Sequence, residues 1–184
     1  MDFERLAIPD LVLITPTRLG DDRGYFMETF RLSSFTEHVG PFQFVQDNQS
    51  LSVEVGTVRG LHFQLEPMAQ GKLVRCIAGS FLDVAVDIRP TSPTHGQHVA
   101  VELSAANGRQ LWVPPGFAHG FCTLLPDTEI SYKVTNYYSA EHDRGLLWDD
   151  PALGIRWPVD GDRAIVSEKD KRQPPLFDLP HYHL

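Results

Sequence analysis

His62 lies near the end of a strand-like run, 57-TVRGLHFQ-64, and Lys72 opens the next, 72-KLVRCI-77. An imidazole so placed can ligate a metal, act as a base, or pack as a satisfied structural histidine. The neighbouring lysine favours the base. An ammonium competes with a metal ion, yet one pointing inward can stabilise an oxyanion. A third group comes from 128-TEISYKVTNYY-138, where Ile130, Tyr132 and Val134 share a face. Their apolar character points that face inward. A tyrosine there is either core or, with an ordinary pKa of about 10, a proton donor. Base, cation and acid are the parts needed to move a proton next to a carbonyl.

Strands must position these groups, because helical periodicity is scarce. The runs 43–53, 57–64, 72–77, 80–88, 97–103, 109–113, 117–125 and 128–138 read as strands, each bounded by Gly, Pro, Asn or Asp. In 80-SFLDVAVDI-88, Leu82, Val84, Val86 and Ile88 share one face, as in a strand with one side in a core. One short helix is expected over 30–38, with its two serines offering a start. Many short strands at regular spacing predict an all-β, jelly-roll β-barrel with short peripheral helices. The last fifty residues or so, richer in Pro, Asp and Trp, read as turns and short helices against the barrel. Without a linker, charge block or repeat, residues 1–184 are expected to form one domain. Alternation alone puts Arg59 and His62 on opposite faces. Either Arg59 points outward, or Gly60 marks a bulge that re-aims it.

The chain's 184 residues suffice for one substantial core, and 42% are hydrophobic, as in a globular protein. A net charge of −8 argues against a general nucleic-acid or anionic-membrane surface, though not against a small anionic ligand held by local arginines. The N-terminal MDFERLAIPD lacks a signal-peptide pattern, and no apolar run reaches the roughly 18 residues of a membrane span. Cys76 and Cys122 match no metal or redox spacing and read as buried thiols. A reducing cytoplasm fits these features.

Two glycine–histidine spacings are informative. Gly56 precedes His62 and Gln64, while Gly108 precedes Pro114, Gly116 and His119. The pair resembles the two motifs of the cupin superfamily, a small jelly-roll barrel. The second match is full as far as its histidine. The first is damaged: metal-binding cupins carry His-x-His and then a Glu, whereas this chain has His62-Phe63-Gln64 and then Met68-Ala69-Gln70. A divalent ion usually takes about three or four protein ligands, so no metal is expected.

The ordered blocks 22-DRGYFMETFR-31, 46-QDNQS-50, 59-RGLHFQ-64, 70-QGKLVR-75, 109-RQLWVPPGFAHGF-121, 131-SYKVTNYYS-139 and 167-SEKD-170 resemble the dTDP-4-dehydrorhamnose 3,5-epimerase, or RmlC, family. The likeness runs from about residue 3 to 176. It implies inversion at C3 and C5 of a dTDP-linked 4-keto-6-deoxyglucose, with no metal or redox cofactor. It also implies a homodimer whose N-terminal strands complete the partner's site. On matching positions, His62 would be the base and Tyr132 the opposing acid. Asp170 would pair with His62, and Lys72 would face the 4-keto oxygen. Arg23, Glu28, Gln46, Asp47, Asn48, Arg59 and His119 would line the sugar-nucleotide site, with Tyr138 near the nucleotide. Asp143 and Lys169 are looser matches. Relatives that invert one carbon, and a non-catalytic sugar-nucleotide-binding cupin, are the alternatives.

Overall fold

The computed structural model describes residues 1–180; residues 181–184, inside the predicted domain range, lie outside the described residues. The strands are β1 (Asp2–Arg5), β2 (Val12–Thr15), β3 (Arg18–Asp21), β4 (Gly24–Met27), β5 (Gln46–Ser52), β6 (Thr57–Gln64) and β7 (Lys72–Ala78). They continue with β8 (Ser80–Asp87), β9 (His98–Ser104), β10 (Gln110–Val113), β11 (Phe117–Thr123), β12 (Thr128–Val134), β13 (Asp143–Gly145) and β14 (Ile165–Val166). One helix, α1 (Leu32–His38), lies between β4 and β5. No described helix is long and apolar enough to cross a membrane.

Two sheets face each other. One has the order β1-β2-β10-β7-β12-β5, and the other β13-β6-β11-β8-β9, with β14 alongside β6. This is the predicted jelly-roll arrangement. Each sheet supplies alternate side chains to the space between them. Leu13, Val74, Leu111 and Ile130 from the first meet Phe81, Ala85, Leu103 and Phe117 from the second in one buried cluster. The outer faces are covered too. Helix α1 and the 42–44 segment close the first sheet, where Trp112 packs with Phe35 and Phe42 at ring separations of 5.2 and 4.6 Å. Such ring pairs add about 0.5–1.5 kcal/mol beyond area burial. Leu146, Leu153, Trp157 and Leu176, from the C-terminal segment, cover the second sheet.

That outer cover corrects the reading of β8. Leu82, Val84, Val86 and Ile88 do share a packed face, but it is the outer one, beneath the C-terminal segment. The opposite face, with Phe81, Asp83 and Ala85, is also buried and points between the sheets. The strand is therefore enclosed on both sides. The helix start differs as well. Arg31 is the N-cap residue and makes no side-chain capping bond, so both serines sit inside the helix. Among the described residues, the segment after β12 holds β13, β14 and three single-turn 3-10 helices. It lies against the barrel as expected, but contributes strands that weak alternation conceals. Both cysteines are buried and free, and burial pushes each thiol up to about 11.

Candidate active site

Strand register decides which side chains share the interior. Tyr132 lies opposite Asn48 on one side and Val74 on the other, and Val134 opposite Gln46 and Lys72. Alternation then turns Gln46, Asn48, Lys72 and Tyr132 inward from the first sheet. From the second sheet, His62 and His119 are direct cross-strand partners. Arg59 joins them through a bulge. Between the His119–His62 and Phe121–Arg59 pairs, β6 advances one residue more than β11. Gly60 makes this possible, with φ at +121° and space for no Cβ: a Cβ there would stand 2.6 Å from the Gly120 Cα. The bulge alternative for Arg59 thus holds.

A cavity of about 540 Å³ lies between the sheets, with Arg59, His62, Lys72, His119, Tyr132 and Asp170 in its wall. Lys169 also borders it. A neighbouring cavity of about 330 Å³ shares His62, Lys72 and Tyr132 and adds Gln46, Asn48, Tyr138 and Asp143. The two read as one groove with the three chemical groups at its waist.

His62 Nε2 lies 2.6 Å from Oδ1 of Asp170, which is only 3% exposed. The Gly60 N–H donates to the other carboxylate oxygen at 3.3 Å. Burial alone would raise the Asp170 pKa, but the hydrogen bond and charge of His62, with the Gly60 and Ser167 contacts, hold it below its usual value. Asp170 is therefore a carboxylate near neutral pH. It accepts the Nε2 proton and leaves the Nδ1 lone pair of His62 available.

Lys72 reaches across the groove and donates to the His62 carbonyl at 3.3 Å. Burial pulls its pKa down to about 8, against the opposing pull of Asp143 and Asp83. Burial raises the Tyr132 phenol above its ordinary value, partly offset by Arg59. It therefore remains a protonated donor near neutrality. Arg59 is itself steered: Nε donates to Ser52 Oγ at 3.1 Å and Nη2 to the Leu51 carbonyl at 3.2 Å.

A second histidine–carboxylate pair sits beside the first. His119 Nε2 is 2.7 Å from Oδ1 of Asp83, a fully buried residue whose Oδ2 has no hydrogen-bond partner among the described residues. Sequence reading passes over Asp83, because alternation in 80–88 marks only the Leu82–Ile88 face as packed. Phe81 and Ala85, two residues to either side, carried the available signal. Ser50 and Ser167 also line the cavity without having been anticipated.

Three predicted site residues lie elsewhere in the single chain. Arg23 pairs with Asp21 at the exposed turn of the β3–β4 hairpin. Glu28 pairs with Arg31 at 2.8 Å. Asp47 alternates outward from Gln46 and Asn48 and meets its cross-strand partner Lys133 at 3.0 Å. Asp143 and Lys169 form an ion pair at the groove's edge. Among the described residues, no three His, Cys, Asp or Glu cluster in a way that could hold a metal.

Comparison with known proteins identifies the family. The family model described as dTDP-4-dehydrorhamnose 3,5-epimerase matches residues 5–178. A protein of that name from Sinorhizobium fredii is 61% identical over 180 residues, covering 98% of this chain and 92% of its own. One from Shigella flexneri is 50% identical, covering 99% of both. The structure of a dTDP-6-deoxy-D-glucose-3,5-epimerase from Legionella pneumophila, in complex with dTDP-4-keto-L-rhamnose, superposes with a TM-score of 0.92. It is 43% identical and covers 100% of this chain and 99% of its own. The chain belongs to the dTDP-4-dehydrorhamnose 3,5-epimerase family.

Proposed function

We propose that this protein inverts C3 and C5 of dTDP-4-dehydro-6-deoxy-D-glucose, giving dTDP-4-dehydro-L-rhamnose. The observation that carries the proposal is the opposition of His62 and Tyr132 on facing sheets, with Lys72 in the wall of the same cavity. A 4-keto group acidifies the protons on both neighbouring carbons. His62 Nδ1 takes one of them, and the electron pair moves to the keto oxygen. Lys72 stabilises the resulting enolate. Tyr132 delivers a proton to the opposite face, so the centre inverts. Exchange with water restores the imidazole and the phenol, and the second carbon follows the same course. Arg59, with the side chains of Gln46, Asn48, His119, Tyr138, Asp143 and Lys169, binds the sugar nucleotide around this centre. No step requires a metal or redox cofactor.

In this reading the single domain acts in the cytoplasm, as two buried free thiols fit, and works as a homodimer. The β3–β4 hairpin supports the dimer. It exposes Leu19, Tyr25 and Phe26 by 58–70%, and carries Arg23 away from its own groove. An exposed apolar hairpin fits a partner surface, where Arg23 and Glu28 would reach the partner's site and Arg23 its pyrophosphate. Sedimentation should give a dimer at micromolar concentration, and a monomer there would remove this part of the proposal.

The central test is incubation with the keto sugar in D₂O, followed by NMR. Deuterium at C3 and C5 with rhamno-configured product is expected. Exchange and inversion at one carbon would make the protein a single epimerase. No exchange would leave a sugar-nucleotide-binding protein. In Tyr132→Phe, inversion should fall further than washout of substrate protons, because abstraction by His62 survives loss of the donor. Equal loss of both would remove Tyr132 as the acid.

A further inference from the structure

We infer that Gln64 is a positioning residue for nucleotide binding: its buried amide fastens the loop that carries Tyr138. The inference rests on the reading of Tyr138 as the nucleotide end of the groove.

The loop joins β12 to β13 and has no regular structure from Thr135 to His142. Its two tyrosines, Tyr137 and Tyr138, are more than half exposed, so little apolar packing fixes them. Polar side chains from the groove hold its backbone instead. Gln64 is only 5% exposed and spends both ends of its amide there. Its Nε2 donates to the Tyr137 carbonyl at 3.1 Å, and its Oε1 accepts from the Ser139 N–H at 2.7 Å. The same Nε2 also donates to the Met68 carbonyl. Gln64 therefore grips the loop on either side of Tyr138. Two further glutamines assist: Gln46 Oε1 accepts from the Tyr138 N–H at 3.1 Å, and Gln70 Nε2 donates to the Asn136 carbonyl at 2.8 Å.

Gln64 differs from the other two in depth and reach. It lies on β6 two residues beyond His62, so the same strand face sets both the base and the loop. In the cupin motif, Gln64 stands where a metal-binding member carries its second histidine. A neutral amide, unlike a carboxylate, can donate to a carbonyl and accept from an N–H two residues away. Releasing the clamp leaves those backbone groups to water and costs the fold little. It also lets the Tyr138 ring spread over many positions, and that entropy is lost again when a nucleotide binds, which weakens binding.

The test uses Gln64→Met, which keeps the side chain's length and removes its hydrogen bonds. Calorimetric titration with dTDP should show a Kd raised at least ~10-fold, the scale of losing one or two hydrogen bonds. KM for the keto sugar should rise similarly while kcat stays within about 3-fold. In a Tyr138→Ala background the same substitution should add little, because both act through one ring. An unchanged dTDP affinity in Gln64→Met would overturn the inference. So would a loss in kcat alone, or full additivity with Tyr138→Ala. If Tyr138→Ala itself binds dTDP normally, the reading of the nucleotide end fails and the inference falls with it. If Tyr138→Ala binds weakly but Gln64→Met does not, only the clamp fails.

Discussion

His62→Ala is expected to lower turnover of the keto sugar by at least ~10²-fold, the low end for an acid–base group. A buried carboxylate occupies its second ring nitrogen, as in the neighbouring His119–Asp83 pair, but the His62 side chain is the more open of the two, 32% exposed against 9%. Its sheet faces the one that carries the acid. The substitution also has a structural cost of predictable sign. It strands Asp170, which is almost fully buried and keeps the Gly60 N–H as its backbone donor. Leaving a buried carboxylate short of a partner costs about 1–3 kcal/mol. For a chain of this size, each kcal/mol lowers Tm by roughly 2–4 °C. A folded protein with a modestly reduced Tm and little activity is the expected result. Near-normal turnover would remove His62 as the base, whatever the melting temperature.

The sequence exposed more of the barrel than of the site's boundaries. Strands with clean turn chemistry at both ends were legible, and β6 matches its predicted span of 57–64 residue for residue. β1 to β4 were not read, because they are short and β3 and β4 are exposed, so they offer no apolar periodicity. Tyr132 was legible because Ile130 and Val134 mark its face as interior. Arg59 was not, since a bulge breaks the alternation that such an argument uses. Asp83 was hidden for a related reason. Period-two logic assigns one face of a strand to solvent, and in a barrel covered on its outside neither face is solvent. Asp47 is the reverse case. The block 46-QDNQS-50 reads as a unit, but a strand divides it, sending Gln46 and Asn48 inward and Asp47 to Lys133.

Lys72→Met should abolish most activity while making the protein more stable at pH 7. The two effects share one cause. Burial holds the Lys72 pKa at about 8, below the 10.5 of an exposed lysine. Protonated Lys72 therefore opposes folding. The cost is fully present below about pH 8, shrinks as pH rises from there toward 10.5, and vanishes above it. A lowering of this size corresponds to a ceiling of roughly 3 kcal/mol. Methionine removes the charge and keeps most of the volume. Losing the bond to the His62 carbonyl returns about 1 kcal/mol of the gain. A Tm increase of several degrees at pH 7 is expected, shrinking toward zero near pH 10. The same ammonium is what an enolate needs, and removing one such donor costs about 10²–10³ in kcat. Wild-type turnover should also decline above about pH 8, as Lys72 loses its proton. Melting curves of both proteins at pH 7 and pH 10, with kcat at pH 7, make the comparison. A variant less stable than wild type at pH 7 would mean that the charge is accommodated at no cost. A more stable variant with normal kcat would mean that the charge serves neither folding nor catalysis, and the oxyanion would need another partner in the groove.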